Sequence, residues 1–527
     1  MDNINAHEMS TILGCQLCAL ISVIIYVYGA FTNEYDVSAA LFLRGLLVAY
    51  LMHFGSFAWQ ADGLLGRYGL VPLIKTISDH EKWQTGVLNR PSPLWTARYI
   101  TLPLKRGLYS ALKAGTSGGG AGGKIMEMCA YMGALICLSG AVLDSPTVGH
   151  LLLCWVFAFL VKHVGGTFMN FQWDILLLEV GAIGVFLQAA DSRLSRSALV
   201  LALHLVHLRL LFGSGWVKIT SGCLAWRQLE ATRYHFFTQP LPRPVAALVS
   251  RAPPAVHKVL TGVTVYGELL VPILAAVPSL RVICVPLLVL LQCSVACTGH
   301  YGFFSFLSTA LACTCLTNKQ WSLVVQSATR AGGGTPLGNV LSLIEPPTLS
   351  VADLTCLATR LGAVTVIGDA HMMSWVALGT LVKEYVVLLV AACLCISSMV
   401  SLLYLLESKG TPYFPGLMRV EGPSIASGGQ KQNVEKTSFV VKAPWPLTAI
   451  HDHLLPFYCG FSYGLFARMT TARPELTVFI RGPGSRNGSW TPIEFRSKPG
   501  DPLLGCKGVW PPCSLPRLDW RMWFLAL

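Results

Sequence analysis

Stretches of about twenty apolar residues, separated by short polar breaks, recur along most of this chain. They run over residues 11–31, 39–59, 126–144, 148–164, 171–190, 197–215, 258–278, 281–298, 302–316 and 374–406. A helix needs about 20 residues to cross the hydrocarbon core of a bilayer. Backbone polar groups at that depth must be satisfied inside the segment. The pattern therefore predicts a polytopic α-helical membrane protein with about nine to ten hydrophobic helices, some of them re-entrant or interfacial. The first stretch lacks the basic start of a cleaved signal, so an uncleaved helix is expected there. An inverted or parallel sequence repeat, the mark of many transporters, is not evident.

The pattern changes after residue 406. Hydrophobicity drops across 407–437 and does not return, which marks a linker between a membrane domain (1–406) and a C-terminal domain (438–527). In the latter, SFVVK (438–442), LTVFIR (476–481) and WTPIEF (490–495) have the look of short strands. Pro483, Gly484, Asn487 and Gly488 supply a turn between the last two. A small β-rich soluble domain is expected. Within the membrane domain, 114–123 is a flexible Gly-rich stretch and 331–350 is loop-like.

Composition sharpens the class. Charged residues make up 12% of the chain and hydrophobic ones 53%, with mean hydropathy +0.56. A soluble domain carries about 25% charged residues, so much of this chain must be shielded by lipid. The net charge of +13 sits mostly in connections. Residues 61–125 hold nine Lys and Arg against three acids, which suits contact with anionic membrane lipid and favours a cytosolic side for that loop. No nucleic-acid partner is expected, since no binding module accompanies the charge.

Most of the seventeen cysteines lie in apolar stretches, where the thiol acts as a small hydrophobe. Cys506 and Cys513 lie in the polar tail and are a disulfide candidate if the tail is luminal. Asn487, in Asn-Gly-Ser, is a glycosylation candidate.

Ionisable residues inside spanning segments are costly and face the bundle interior. Here they are Asp174 and Glu179, His204, His207 and Arg209, Glu268, and Lys383 with Glu384. One reading is a proton relay, metal site or substrate pocket. The other, which the spacing favours, is charges paired to fix helix register, with Asp174 or Glu179 meeting Arg209. Asp174 and Glu179 do not share a helical face, unlike an acid/base carboxylate pair. His204 and His207 share one, but two histidines without a third ligand make a weak metal site. No nucleophile elbow, P-loop or dinucleotide fingerprint is present, and no cofactor is implied.

The densest block is LFGSGWVKITSGCLAWRQLEATRYHFFTQPLP, residues 211–242. Gly213, Gly215 and Gly222 allow sharp turns or close packing. Trp216, Trp226 and Tyr234 suit a membrane–water boundary, and Lys218, Arg227 and Arg233 add charge beside them. His235, Phe236, Phe237 and Gln239 follow. These rings either offer adaptable contacts to an apolar partner or pack against the helices.

This block resembles the signature of the lipase maturation factors, membrane proteins of the endoplasmic reticulum. FQWDILLLEVG (171–181), TGHYGFFSFL (298–307), YGLFARMTTARPEL (463–476), WTPIEFRSKPG (490–500) and PRLDWRMWFLAL (516–527) resemble further blocks of the family in the same order. The resemblance spans roughly residues 40–527. It implies a non-enzymatic role in folding and assembly of secreted homodimeric lipases, with secretory client proteins as partners and a luminal C-terminal domain. It also implies a tail that continues past Asp519, Trp520 and Trp523, so the domain looks truncated at Leu527. Arg517, Asp519 and Trp520 then serve either the tail's own folding or client contact. A membrane-embedded enzyme, with Asp174, Glu179, His204, His207, Lys218 and Glu268 as its residues, is the rival reading.

Overall fold

Each of the ten apolar stretches becomes a helix close to its expected limits. The structure is a computed structural model and describes residues 6–73, 121–142, 146–330, 375–407, 444–481, 490–499 and 514–526. The helices are α1 (Ala6–Thr32), α2 (Asp36–Ala58), α3 (Ala61–Leu65), α4 (Ala121–Val142), α5 (Val148–Val164), α6 (Gln172–Ala189) and α7 (Arg193–Thr220). Three short ones follow, α8 (Leu224–Arg227), α9 (Ala231–Thr238) and α10 (Pro244–Val249). Then come α11 (Pro254–Leu274), α12 (Arg281–Thr298), α13 (Phe304–Cys313), α14 (Asn318–Arg330) and α15 (Trp375–Glu407). The tail adds α16 (Trp445–Leu454) and α17 (Arg517–Ala526).

Seven helices among the described residues are long and apolar enough to cross a membrane: α1, α2, α4, α6, α7, α12 and α15. Helices α5 and α13 are apolar but shorter. The chain is thus a multi-pass helical membrane protein.

Two sets of contacts define the ends of the bundle. At one end, Arg193 pairs with Glu34 (2.7 Å), Asn318 N–H donates to the Glu34 carbonyl (2.8 Å), and Glu384 accepts from Ser195 Oγ (2.6 Å). At the other, Leu515 N–H donates to Ser56 Oγ (2.6 Å), and Pro242 bridges to Gly299. The block 211–242 and the tail share this second end, called the tail end below.

Helix α7 is the hub, with 94% of its most apolar window buried against 28% for α12. Ser192 caps its start, accepting from Ser195 N–H (3.1 Å). Gly222, at φ +70°, lies just past its end, where the chain turns through a left-handed conformation that glycine tolerates.

The expected β-rich tail is corrected. Its described residues contain one two-stranded antiparallel ladder, β1 (Val478–Ile480) with β2 (Thr491–Ile493), in the register Val478 to Ile493. All six strand residues are exposed, so the ladder has no core face of its own. LTVFIR and WTPIEF do pair, whereas SFVVK, the intervening turn with Asn487, and Cys506 with Cys513 lie outside the described residues. The rest of the described tail is helix and extended loop laid on the membrane domain. Cys459, Phe461, Tyr463, Leu515 and Trp520 belong to the same apolar core as α2, α6 and α7.

Candidate functional site

An extended segment buried among helices exposes backbone groups that need partners. Residues 460–466 are such a segment, and the charged and polar residues of the apolar helices supply the partners. Glu179 of α6 accepts from Gly460 N–H (2.7 Å) and from the Tyr463 hydroxyl (2.5 Å). Arg209 of α7 pairs with Glu179 (2.5 Å) and donates to the Phe461 carbonyl and to Ser398 Oγ (3.2 Å). Ser401 Oγ donates to the Gly460 carbonyl. One turn along α7, Gly213 lets the segment come close, because a Cβ there would lie 2.4 Å from the Tyr463 carbonyl oxygen. Lys218 donates to the Leu465 carbonyl (3.0 Å) and to Glu268 of α11 (2.6 Å). Trp226 Nε1 donates to the Phe466 carbonyl (2.9 Å). The tail loop therefore runs along α7 from Arg209 to Lys218, held at each step by a side chain of the membrane domain.

A second joint lies beside it. Arg517 at the start of α17 makes a bidentate pair with Asp174 (2.8 and 2.9 Å) and donates to the Phe168 carbonyl (2.9 Å). Two parallel N–H···O bonds fix orientation as well as proximity. Asp519 accepts from the N–H groups of Ser497 (2.9 Å) and Lys498 (2.8 Å), which fastens the 497–498 backbone to α17. Trp520 Nε1 donates to the His300 carbonyl (3.2 Å), and Trp523 Nε1 to the Thr238 carbonyl (2.7 Å).

The block 211–242 is the floor of this joint. Trp216, Trp226 and Phe236 are buried, Tyr234 and His235 half-buried, and Phe237 exposed. Gln239 accepts from the Tyr301 hydroxyl (3.0 Å) and donates to the Thr298 carbonyl (3.0 Å). Arg473 donates to the carbonyls of Phe237 (3.1 Å), Gln239 and Pro240 (3.0 Å). Gly215 meets Leu269 of α11 closely. Burial and then the charge of Lys218 hold the His235 imidazole down at about 4. His300 is also held at about 4, mainly by burial and further by Arg243, against the Ser514 carbonyl that it meets. Arg243 donates to His300 Nδ1 (2.9 Å), so the ring proton sits on Nε2 and faces Ser514.

The structure unites Glu179 with Arg209, as the charge pairing anticipated, and Asp174 with Arg517. It does not gather the ionisable residues into one centre. His204 Nε2 meets the Thr314 carbonyl (2.9 Å), His207 has no hydrogen-bond partner among the described residues, and Lys383 pairs with Asp191 near the far end. Among the described residues no group of three His, Cys, Asp or Glu is placed to hold a metal. Sequence reasoning missed Arg281, wholly buried at the start of α12 and donating to Tyr35 and to the Ala275, Ala276 and Cys315 carbonyls. It also missed Ser397, Ser398 and Ser401, which break the apolar pattern of α15 and face the tail loop.

Between α7, α11, α12, the tail loop and α17 lies a cavity of about 1520 Å³. Its walls are mostly aliphatic and aromatic. Lys218, Glu268, Arg468 and Arg521 are the charged residues that line it.

A multi-helix membrane body with a tail segment locked into it along conserved-order motif blocks defines the class. The family model for the Lipase maturation factor transmembrane domain matches residues 37–323, and that for the Lipase maturation factor C-terminal domain matches 460–527. The chain belongs to the lipase maturation factor family. It is 30% identical to human Lipase maturation factor 2 over 92% of this chain and 71% of that protein. It is 27% identical to Lipase maturation factor 2 of Xenopus laevis (94% and 72%) and 24% identical to mouse Lipase maturation factor 1 (94% and 74%). No solved structure matches it.

Proposed function

We propose that this chain assists the folding, assembly and export of secreted lipases at the endoplasmic-reticulum membrane, as a chaperone-like factor without catalysis of its own. The observation that carries the reading is similarity along nearly the whole chain to proteins named for lipase maturation, through both the helical body and the tail. Geometry supports a binding role. The tail end exposes large apolar side chains, Leu224, Phe237, Leu248, Trp445 and Trp490, on a base made rigid by three buried ion pairs. Apolar groups in such numbers suit a partly folded client. On this reading Trp216, Trp226, Gln239, Arg517, Asp519 and Trp520 shape the platform, while Phe237 and Leu224 meet the client.

The test is secretion of active lipase from cells lacking this protein, with and without its re-expression. Lipase that is made but inactive and retained, then rescued by this chain, is the expected result. Normal lipase activity in its absence would reject the reading.

One geometry favours the embedded-enzyme alternative. Lys218 and Glu268 form an ion pair in the cavity wall (2.6 Å). Lys218→Met with Glu268→Leu removes both ionisable groups and keeps the wall apolar. If that double variant, correctly localised and stable, still rescues secretion, chemistry at the pair is excluded from the function.

A further inference from the structure

The large cavity has features that an extended binding surface for folded protein does not require. At about 1520 Å³ it exceeds the roughly 300–1,000 Å³ of ordinary small-molecule pockets. Several of its lining side chains are also exposed on the outer surface: Leu248 (72%), Val263 (57%), Val256, Phe524 and Leu525. The interior is therefore continuous with the outside of α10, α11 and α17, and the lining residues Ser294 and Cys297 of α12 are likewise exposed. Helix α12 is one of the membrane-crossing helices, and its last turns, Leu291–Thr298, form one wall. The outside of such a helix is in contact with acyl chains. The cavity lies at the tail end, where α7 and α12 finish and Trp226, Trp520 and Trp523 collect, the headgroup level favoured by Trp.

Charge then selects the headgroup. Three cations line the cavity, Lys218, Arg468 and Arg521, against one carboxylate, Glu268. Lys218 and Glu268 neutralise each other at 2.6 Å. Arg521 lies over the Phe171 ring (4.4 Å), donates to the Asn170 carbonyl (3.4 Å) and feels the charge of Asp174, which Arg517 takes bidentately. Arg468, exposed at the mouth, has no carboxylate partner among the described residues. The uncompensated guanidinium of Arg468 beside an apolar chamber matches a phosphate-bearing amphiphile, since the guanidinium fork fits phosphate oxygens.

We propose that this cavity binds a single anionic phospholipid of the surrounding bilayer, its acyl chains between α11, α12 and α17 and its phosphate at Arg468. The site adjoins the exposed apolar surface assigned to clients at Leu248, and its test needs no client.

The full chain is reconstituted in vesicles of equal phosphatidylglycerol and phosphatidylcholine, extracted in detergent, and its retained lipid weighed by native mass spectrometry. About one phospholipid per chain is expected, enriched for phosphatidylglycerol about tenfold, equivalent to about 1.4 kcal/mol. Arg468→Glu, at an exposed position, should abolish most of that enrichment. Val263→Trp with Ser294→Trp, both in the cavity lining, should lower total retained lipid several-fold. Elution as a monodisperse peak with unchanged thermal midpoint verifies folding of each variant. If the wall variant misfolds, the Arg468→Glu comparison decides alone. No retained lipid, retention at the ratio of the vesicle, or enrichment unaffected by Arg468→Glu would overturn the proposal.

Discussion

Glu179 shows what one residue does here. Its carboxylate accepts from Arg209, Gly460 and Tyr463 in the middle of an apolar bundle. Removing one partner of a buried pair strands the other charge, at a cost of about 3–5 kcal/mol. Glu179→Leu should therefore lower the thermal midpoint of the purified protein sharply. Glu179→Leu with Arg209→Leu should recover part of the loss, because the stranded charge is gone while the tail loop still lacks its partners. Equal midpoints for Glu179→Leu and the parent would show that the pair holds nothing. The position of the acid in FQWDILLLEVG signalled a buried partner, and Arg209 was a legible candidate. Its second role, receiving an N–H from residue 460, was not, because 281 residues separate the two.

His300 gives a pH dependence with a defined sign. Its imidazole is neutral in the fold at about 4, against 6.5 for the free side chain. A depressed histidine favours the unfolded chain as protons become available. Its contribution is full above about pH 6.5 and declines as pH falls from there towards 4. At pH 5 the loss is about 2 kcal/mol for this one group. Thermal midpoints at pH 7.5 and pH 5 should differ, and His300→Gln, which keeps one acceptor and one donor, should narrow the gap. An undiminished gap in the variant would assign the pH effect to other groups.

At the scale of elements, the fit between α7 and the tail loop depends on missing side chains as much as on present ones. A methyl on Gly213 would meet the backbone carbonyl of Tyr463, and backbone moves less readily than a flexible side chain. Overpacking of this kind costs about 1–3 kcal/mol. Gly213→Ala should leave the helical body intact but loosen residues 460–466, read as faster protease cleavage within the tail. Unchanged cleavage would mean that the loop accommodates the methyl. The strand pair belongs to the same scale. LTVFIR and WTPIEF were legible as strands from their β-branched and aromatic content, and they do pair. Among the described residues the β content stops at this pair, and two exposed three-residue strands bury no core. The tail residues Cys459, Phe461, Tyr463, Leu515 and Trp520 pack into the core of the helical body instead.

For the whole molecule, the two bundle ends fix which segments share a side. Helix α2 runs from Asp36, by Arg196, to Ser56, by Leu515. Helix α1 ends beside the start of α2, so its first residues lie towards the tail end, where Gln16 reaches the Leu406 carbonyl (2.9 Å). An epitope tag before α1 and one after residue 527 should therefore show the same protease protection in sealed microsomes. A tag inserted at Glu34, between α1 and α2, should show the opposite. Opposite protection of the two terminal tags would contradict the helix order described here.

Hydropathy by itself determined the class, because a run of about twenty apolar residues has few outlets other than a bilayer. The helix limits followed for the same reason. Motif order alone carried the family, and the buried carboxylates were marked by the cost of placing them where they stand. The tertiary structure alone decided which helices face lipid and which face protein. Helix α12 is more apolar than α7, with mean hydropathy 2.2 against 1.6, yet α7 is the buried hub. A helix enclosed by protein can carry Arg209, Ser214 and Lys218 because its neighbours satisfy them, whereas a lipid-facing helix has no such partners. Some of those partners come from a tail about 250 residues away, and contacts over that separation leave no periodic trace in the chain.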